Sequence, residues 1–415
     1  MTSTSPSRLD PQALLLQLLD PSNRANPYPA YERIRESGPL QLPGMTLTVF
    51  SSYDHCDEIL RHPSSANDRS KSTIAQRQVP DASEEREFGP PSFLFLDPPD
   101  HTRLRRLVSK AFVPKVVNAL EADITGMVDA LLDKAADAGE FDVIADLAYP
   151  LPVAVICRLL GVPIADEPHF SRASAILAKA LDPIYTVTGE SHGNFDEIME
   201  AELWLRRYLR DLIARRRADP GEDLMSGLIH VEESGDQLTE DEIVATCNLL
   251  LIAGHETTVN LIANATLALL RHPDQWAAVS ADPQRVSAVV EETLRYDPPV
   301  QLSSRIAADD MTIGGVQIPK GDVMMLLLAA ANHDPAAVER PGEFDPDREV
   351  IRHLGFGKGP HFCLGAPLAR LEAAVALSAL TARFPDARMT GEPEYKPNLT
   401  LRGMAHLDVD VAHKV

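Results

Sequence analysis

Apolar residues recur at helical spacing through most of the chain, and prolines and glycines cut that recurrence into segments. After a polar tail over residues 1–10, Pro11 to Leu19 predicts a short apolar helix, and Pro27 to Ser37 another closed by Gly38. Leu40 to Phe50 alternates around Pro43-Gly44 and predicts a hairpin. Ser52 is placed to cap a helix running to His62, where Pro63 stops it. Residues 64–91 are polar and lack periodicity, a loop of functional length. Asp97-Pro98-Pro99-Asp100 turns into a basic helix ending near Phe112. Amphipathic helices then fill Val117 to Arg217, with breaks at Gly139, at Gly161 with Pro163, and from Pro183 to Gly193; another helix covers Glu222 to Glu233 and ends near Gly235.

The longest periodic run starts at Thr239, an N-cap with Glu242 three positions on and Leu238 and Ile243 placed as a hydrophobic staple. It continues to Leu270 or Arg271, roughly 45 Å at the standard rise, so it must cross the core. Its middle reads Ala253-Gly254-His255-Glu256-Thr257-Thr258, which puts a helix-weakening glycine, a charge and two hydroxyls at core depth. The hydroxyls can bond back to upstream carbonyls and open the helix. Bending alone accounts for the glycine and threonines but leaves the glutamate unexplained. Asp282-Pro283 opens a second helix carrying Glu292 and Arg295, and Asp297 to Arg305 leaves it extended. Thr312 to Ile318 predicts a hairpin, Asp322 to Ala329 a short strand, Ala366 to Phe384 a helix, and Leu399 to Val411 a small terminal sheet near the pocket.

At 415 residues, with 44% hydrophobic residues, 5% aromatics, 33 prolines and no composition shift, the chain predicts one large domain, mainly α with small β-sheets. The net charge of -22 excludes nucleic acid as a partner. No run reaches the roughly 20 apolar residues of a membrane span, and the start has no signal-peptide layout, so a soluble cytoplasmic protein is predicted. Cys56, Cys157, Cys247 and Cys363 lack metal-type pair spacing, and the first three fall in predicted helices as inert thiols.

Cys363 differs. It lies in Phe356-Gly357-Lys358-Gly359-Pro360-His361-Phe362-Cys363-Leu364-Gly365, directly ahead of a helix whose unpaired amides and dipole favour a thiolate. Glycines on both sides leave a backbone able to lie under something flat, a haem; without Cys-x-x-Cys-His, that haem is held non-covalently. The order Phe-Gly-x-Gly-x-His-x-Cys-x-Gly resembles the haem-binding loop of the cytochrome P-450 family of soluble bacterial type, and the resemblance extends over nearly the whole chain.

The resemblance implies a triangular-prism fold, haem b, and Cys363 as the axial thiolate of its iron. It implies that Phe356 packs by the sulfur with Gly365 beside it, and that His101, Arg105, Arg305 and His361 hold the propionates. His101 and Arg105 already share a helical face by their spacing. Glu256 and Thr257 become an acid-alcohol pair delivering protons, and Ala253 and Gly254 leave room for dioxygen. Leu94, Leu250, Ala253, Val300, Leu302 and Ser303 line the substrate side, under the loops 64–91 and 183–193. Glu292 and Arg295 join Arg348, from Phe344-Asp345-Pro346-Asp347-Arg348, as a structural triad; Glu-x-x-Arg alone would mark no more than a solvated ion pair. His353 receives no role.

The implied activity is insertion of one oxygen atom from O2 into a C–H bond of a hydrophobic small molecule: a lipid-like compound, terpenoid, steroid or polyketide. No flavin-type or iron–sulfur segment is fused, so electrons come by analogy from a ferredoxin and its NADH- or NADPH-dependent reductase, to a monomer. Arg103, Arg106, Lys110 and Lys115 form a basic patch on an acidic protein, suited to an acidic donor. A peroxide-driven enzyme and a non-catalytic haem sensor or lipid-binding protein remain as alternatives; neither has a use for Glu256 and Thr257.

Overall fold

The computed structural model describes residues 10–42, 45–77, 89–138, 140–179, 195–233 and 238–411. The predicted turn at Pro43-Gly44, the breaks at Gly139 and 183–193, the end at Gly235 and the middle of the loop 64–91 lie outside those residues.

The amino-terminal helices are α1 (Pro11–Leu19), α2 (Tyr28–Glu36) and α3 (Tyr53–Arg61). Strands β1 (Leu40–Gln41) and β2 (Leu47–Phe50) pair antiparallel as the hairpin pattern requires. Ser52 does not cap α3 with its side chain. That work falls to Asp334, whose Oδ2 accepts from Tyr53 N at 3.0 Å across 281 residues of sequence. The polar stretch after α3 is also more ordered than its composition predicts. It holds β3 (Ser65–Ala66) and α4 (Thr73–Arg77), because Asp97 reaches back to accept from Asn67 N at 2.8 Å and from Lys71 Nζ at 2.7 Å.

The helical body follows: α5 (Asp100–Val108), α6 (Pro114–Asn118), α7 (Glu121–Ala138), α8 (Pro150–Leu160), α9 (Glu167–Lys179), α10 (Phe195–Ala218) and α11 (Leu224–Glu233). Helix α12 (Glu240–Arg271) then runs unbroken for 32 residues. Its capping box is present: Thr239 Oγ1 accepts from Glu242 N at 3.3 Å, and Glu242 Oε2 accepts from Thr239 N at 2.9 Å. From Val259 to Leu269 every side chain is buried, and α8, α9, α10 and α16 (Ala366–Arg383) pack around it. This is the helix that the length and apolarity of its sequence send through the core.

A further helix also escapes the sequence pattern. Pro273 occupies the first turn of α13 (Pro273–Ala281), a place where proline fits. Trp276 and Val279 bury its inner face, and Trp276 Nε1 donates to Phe384 O at 3.2 Å. After Asp282, a short turn leads into α14 (Val286–Tyr296).

A five-stranded sheet has the order β1-β2-β8-β5-β3, with β5 (Ser303–Ala307) and β8 (Val323–Leu326) at its centre. The predicted hairpin is β6 (Met311–Ile313) with β7 (Val316–Ile318), and α15 (Leu328–Asn332) follows β8. The terminal sheet is smaller than its pattern suggests. Only β10 (Asp408–Asp410) is a strand of 399–411, between β4 (Glu140–Asp142) and β9 (Arg388–Met389), while Leu401 and Met404 make isolated bridges. Among the described residues no helix is long and apolar enough to cross a membrane.

Candidate functional site

Cys363 sits in the loop just before α16, the one cysteine of four that is not fully buried. Its amide donates to Phe356 O at 2.9 Å, which closes the loop on itself. The glycines divide their work. Gly357 and Gly359 have φ of +65° and +68°, a region costly for other residues, and a Cβ on Gly359 would stand 2.3 Å from Leu60 O. Gly359 therefore lets the loop close on α3. A Cβ on Gly365 would meet nothing within 4 Å, so only that glycine leaves open space beside the sulfur.

Burial pushes the Cys363 thiol above its ordinary value, while the Gly365 and Ala366 amides, Arg105 and Arg370 pull it down. The helix N-terminus favours thiolate as its position predicts, but burial is the larger effect. A metal cation on the sulfur reverses that balance, since a coordinating thiol is deprotonated outright. Burial holds Cys157 and Cys247 up at about 12 and Cys56 higher still, with no backbone amide pulling them down.

Four basic side chains converge beside this loop. The rings of His101 and His361 meet with centroids 4.0 Å apart and planes tilted by 36°. Arg105 donates to Phe362 O, and Arg305 donates to Ser304 O at 2.7 Å and Ser303 Oγ at 3.2 Å. Burial, His101, Arg305 and Arg105 together push His361 down to about 3, and burial brings Arg305 down to about 10. Among the described residues none of the four has a carboxylate in salt-bridge range, and both ring nitrogens of buried His101 lack a partner. Buried donors and cations without counter-charge are costly, so the cluster fits an anionic group. Two carboxylates at the edge of a flat macrocycle meet that need. No group of three or more His, Cys, Asp or Glu able to hold a bare metal ion exists among the described residues. Cys363 thus suits an iron that brings its own donors, as haem iron does.

On α12, Ala253 is exposed although its helix crosses the core. Thr257 Oγ1 donates to Ala253 O at 2.7 Å, the back-bonding its sequence allows, but without breaking the helix. A Cβ on Gly254 would lie 3.3 Å from Ile156 Cδ1, so the glycine also eases the close packing of α8 on α12. Glu256 Oε1 lies 3.3 Å from Lys396 Nζ on the C-terminal loop. Glu256, Asn260 and Asn264 form one stripe facing that loop, where Asn264 Nδ2 donates to Arg402 O at 3.4 Å and Gly403 packs against Asn260. His255 is buried against Tyr149, 4.8 Å between centroids, and burial pushes it down to about 4.

Of the remaining pocket candidates, Leu94, Val300 and Ser303 are partly exposed. Leu250 is buried in the main core, and Leu302 packs with Leu14, Tyr31 and Leu399 beneath the five-stranded sheet. Glu292, Arg295 and Arg348 meet in the interior. Arg295 makes a two-pronged pair with Glu292 at 2.6 and 2.8 Å, Arg348 Nε reaches Glu292 Oε1 at 3.2 Å, and Asp345 N donates to the same oxygen at 2.9 Å. Arg103, grouped with the basic patch by sequence, is instead tied to Glu242 at 2.5 Å and joins α5 to α12. Arg106, Lys110 and Lys115 remain exposed.

Sequence reasoning passes over Lys396, which lies 140 residues from its partner, and over the network around His353. His353 Nε2 is 3.0 Å from Glu291 Oε2, and Arg370 holds both oxygens of Glu291 at 2.5 and 3.0 Å. Only the shared position of these residues behind the cysteine loop reveals them.

Comparison with known proteins agrees with this geometry. The cytochrome P450 family description matches residues 39–400. A crystal structure of ligand-free CYP164A2 from Mycobacterium smegmatis superposes with a TM-score of 0.92 at 70% identity, covering 96% of this chain and all (100%) of that one. Cytochrome P450 107B1 of Saccharopolyspora erythraea is 39% identical over 91% of this chain and 93% of its own length. The vitamin D(3) 25-hydroxylase of Pseudonocardia autotrophica is 40% identical over 92% and 93% respectively. The chain therefore belongs to the cytochrome P450 family of haem-thiolate monooxygenases.

Proposed function

We propose that Cys363 Sγ is the axial ligand of a haem iron, and that the chain inserts one atom of O2 into a C–H bond of a hydrophobic small molecule. The single observation that carries this is the uncompensated basic cluster of His101, Arg105, Arg305 and His361 around the loop that bears Cys363. In this assignment the four side chains hold the propionates and Phe356 and Gly365 border the sulfur. Haem iron with a thiolate ligand supplies O2 activation and O–O cleavage, as in cytochromes P450 generally.

The chain's own residues provide position and protons. Ala253, exposed on α12, would leave space beside a bound haem. Thr257 offers a hydroxyl one turn beyond it, anchored on Ala253 O and able to turn its proton toward a bound ligand. Glu256 can renew that proton from the side of the C-terminal loop once Lys396 lets it go. Leu94, Leu250, Val300, Leu302 and Ser303 are assigned to the apolar substrate side. A relative named as a vitamin D(3) hydroxylase supports a bulky apolar guest. Glu292, Arg295 and Arg348 brace the loop's support without touching the chemistry.

Electrons come from a separate ferredoxin and reductase. Exposed Arg106, Lys110 and Lys115, with the apolar surface of Val113, Val116 and Phe362 among them, suit an acidic donor near the cysteine loop. Charge reversal at Arg106 and Lys110 is expected to weaken donor binding in a salt-dependent way.

The test is spectral. Reduced protein with CO should show the red-shifted thiolate band, and Cys363→Ser should lose it while the fold persists. A wild-type protein that takes up haem but shows an imidazole-type spectrum overturns the assignment.

A further inference from the structure

Behind the cysteine loop, three side chains from three parts of the chain lock together. Glu291 comes from α14, His353 from the segment ahead of the loop, and Arg370 from the first turns of α16. Gly355 N donates to His353 Nδ1 at 3.1 Å, so that nitrogen is an acceptor and the proton sits on Nε2. Nε2–H then donates to Glu291 Oε2 at 3.0 Å. Both oxygens of Glu291 also accept from the Arg370 guanidinium, which fixes its plane. That plane lies over the Phe356 ring, 4.7 Å from the Arg370 Cζ to the centroid, and His353 meets the same ring edge-on at 5.9 Å. Phe356 in turn accepts the Cys363 amide through its carbonyl.

We propose that Glu291, His353 and Arg370 are positioning residues that set how strongly Cys363 donates electron density to the metal. The inference rests on Cys363 being the iron's ligand. Two effects act together. The triad holds the Phe356 ring and backbone, and through them the direction of the one amide that Phe356 ties down beside the sulfur. It also places a compensated charge pair nearby, in which Arg370 favours the anionic sulfur and Glu291 offsets it. Glu291 is pushed down to about 2; burial acts against this, and His353 and Arg370 outweigh it, so the carboxylate stays charged at every working pH.

Charge and bracing make different predictions for the ferric–ferrous midpoint potential of the purified holoprotein. Glu291→Gln leaves the Arg370 cation uncompensated and should raise it. Arg370→Gln leaves the Glu291 anion uncompensated and should lower it. Arg370→Lys, which keeps the charge, should stay near wild type. The CO-bound band should move in opposite directions in the two charge variants. Arg370 is 38% exposed, so its substitution leaves the interior packed even if Glu291→Gln folds poorly. Opposite shifts show that charge dominates and shifts of the same sign that bracing of Phe356 does, either of which supports the inference; unmoved potentials in both Glu291→Gln and Arg370→Gln overturn it while the wild-type thiolate band stands. Absence of that band in the wild type overturns the ligand assignment instead.

Discussion

Lys396 Nζ stands 3.3 Å from Glu256 Oε1, so the acid of the central helix is held from the C-terminal loop and not from its own helix. Lys396 is itself fixed by its backbone, whose N–H donates to Gly403 O at 3.0 Å. The carboxylate proposed to relay protons is thus paired with a cation that would have to release it first. Glu256→Gln should lower turnover about 100-fold, within the range for loss of a proton-transfer group, with the substrate-induced spin-state shift unchanged. Lys396→Met should raise turnover severalfold in the wild-type background and have no effect in Glu256→Gln. A double-mutant cycle on turnover measures the coupling.

Glu292 carries a heavier structural burden than its motif suggests. It is fully buried (0% exposed) and accepts from Arg295, Arg348 and the Asp345 amide. Removing one member of such a buried set leaves the others uncompensated, at a cost of about 3–5 kcal/mol. Glu292→Ala should unfold at lower denaturant and purify without haem absorbance. Chemical denaturation monitored at the Soret band checks both outcomes.

Glu372, on α16, is buried with Oε2 unpartnered, and burial pushes its carboxyl up to about 8. A folded-state value above the unfolded one means the associated stability is complete below the ordinary 4.5 and is lost as pH rises through about 8. Glu372→Gln removes the ionisable group. Its Tm should exceed that of wild type at pH 8.5, and the gap should close as pH falls toward 5.

Two histidines act in the opposite sense. Burial pushes His255 and His333 down to about 4 from the ordinary 6.5. Their contribution is complete above 6.5 and is lost as pH falls toward about 4, because the unfolded chain binds protons that the folded one refuses. His333 stacks on Tyr28 at 4.3 Å, and its Nε2–H donates to Tyr296 O at 2.8 Å. Acidification from pH 7 to 5 should lower Tm, and His333→Gln should reduce that slope. Differential scanning calorimetry across the range measures it.

The chain's local signals determined a good deal by themselves. The Thr239 capping box and the apolar run behind it define α12 almost to the residue, because caps and periodicity depend on neighbours three and four positions away. The spacing around Cys363 defines the loop and the family for the same reason. Tertiary structure alone decided the partners. Asp334 caps α3, Ile156 packs against Gly254, Lys396 restrains Glu256, and Arg103 turns from the surface toward Glu242. Each pairing joins residues tens to hundreds of positions apart, which no local pattern encodes. Burial decided the rest: the same histidine or carboxylate is ordinary in water and strongly shifted in the core, and only the folded chain specifies which of them leave water.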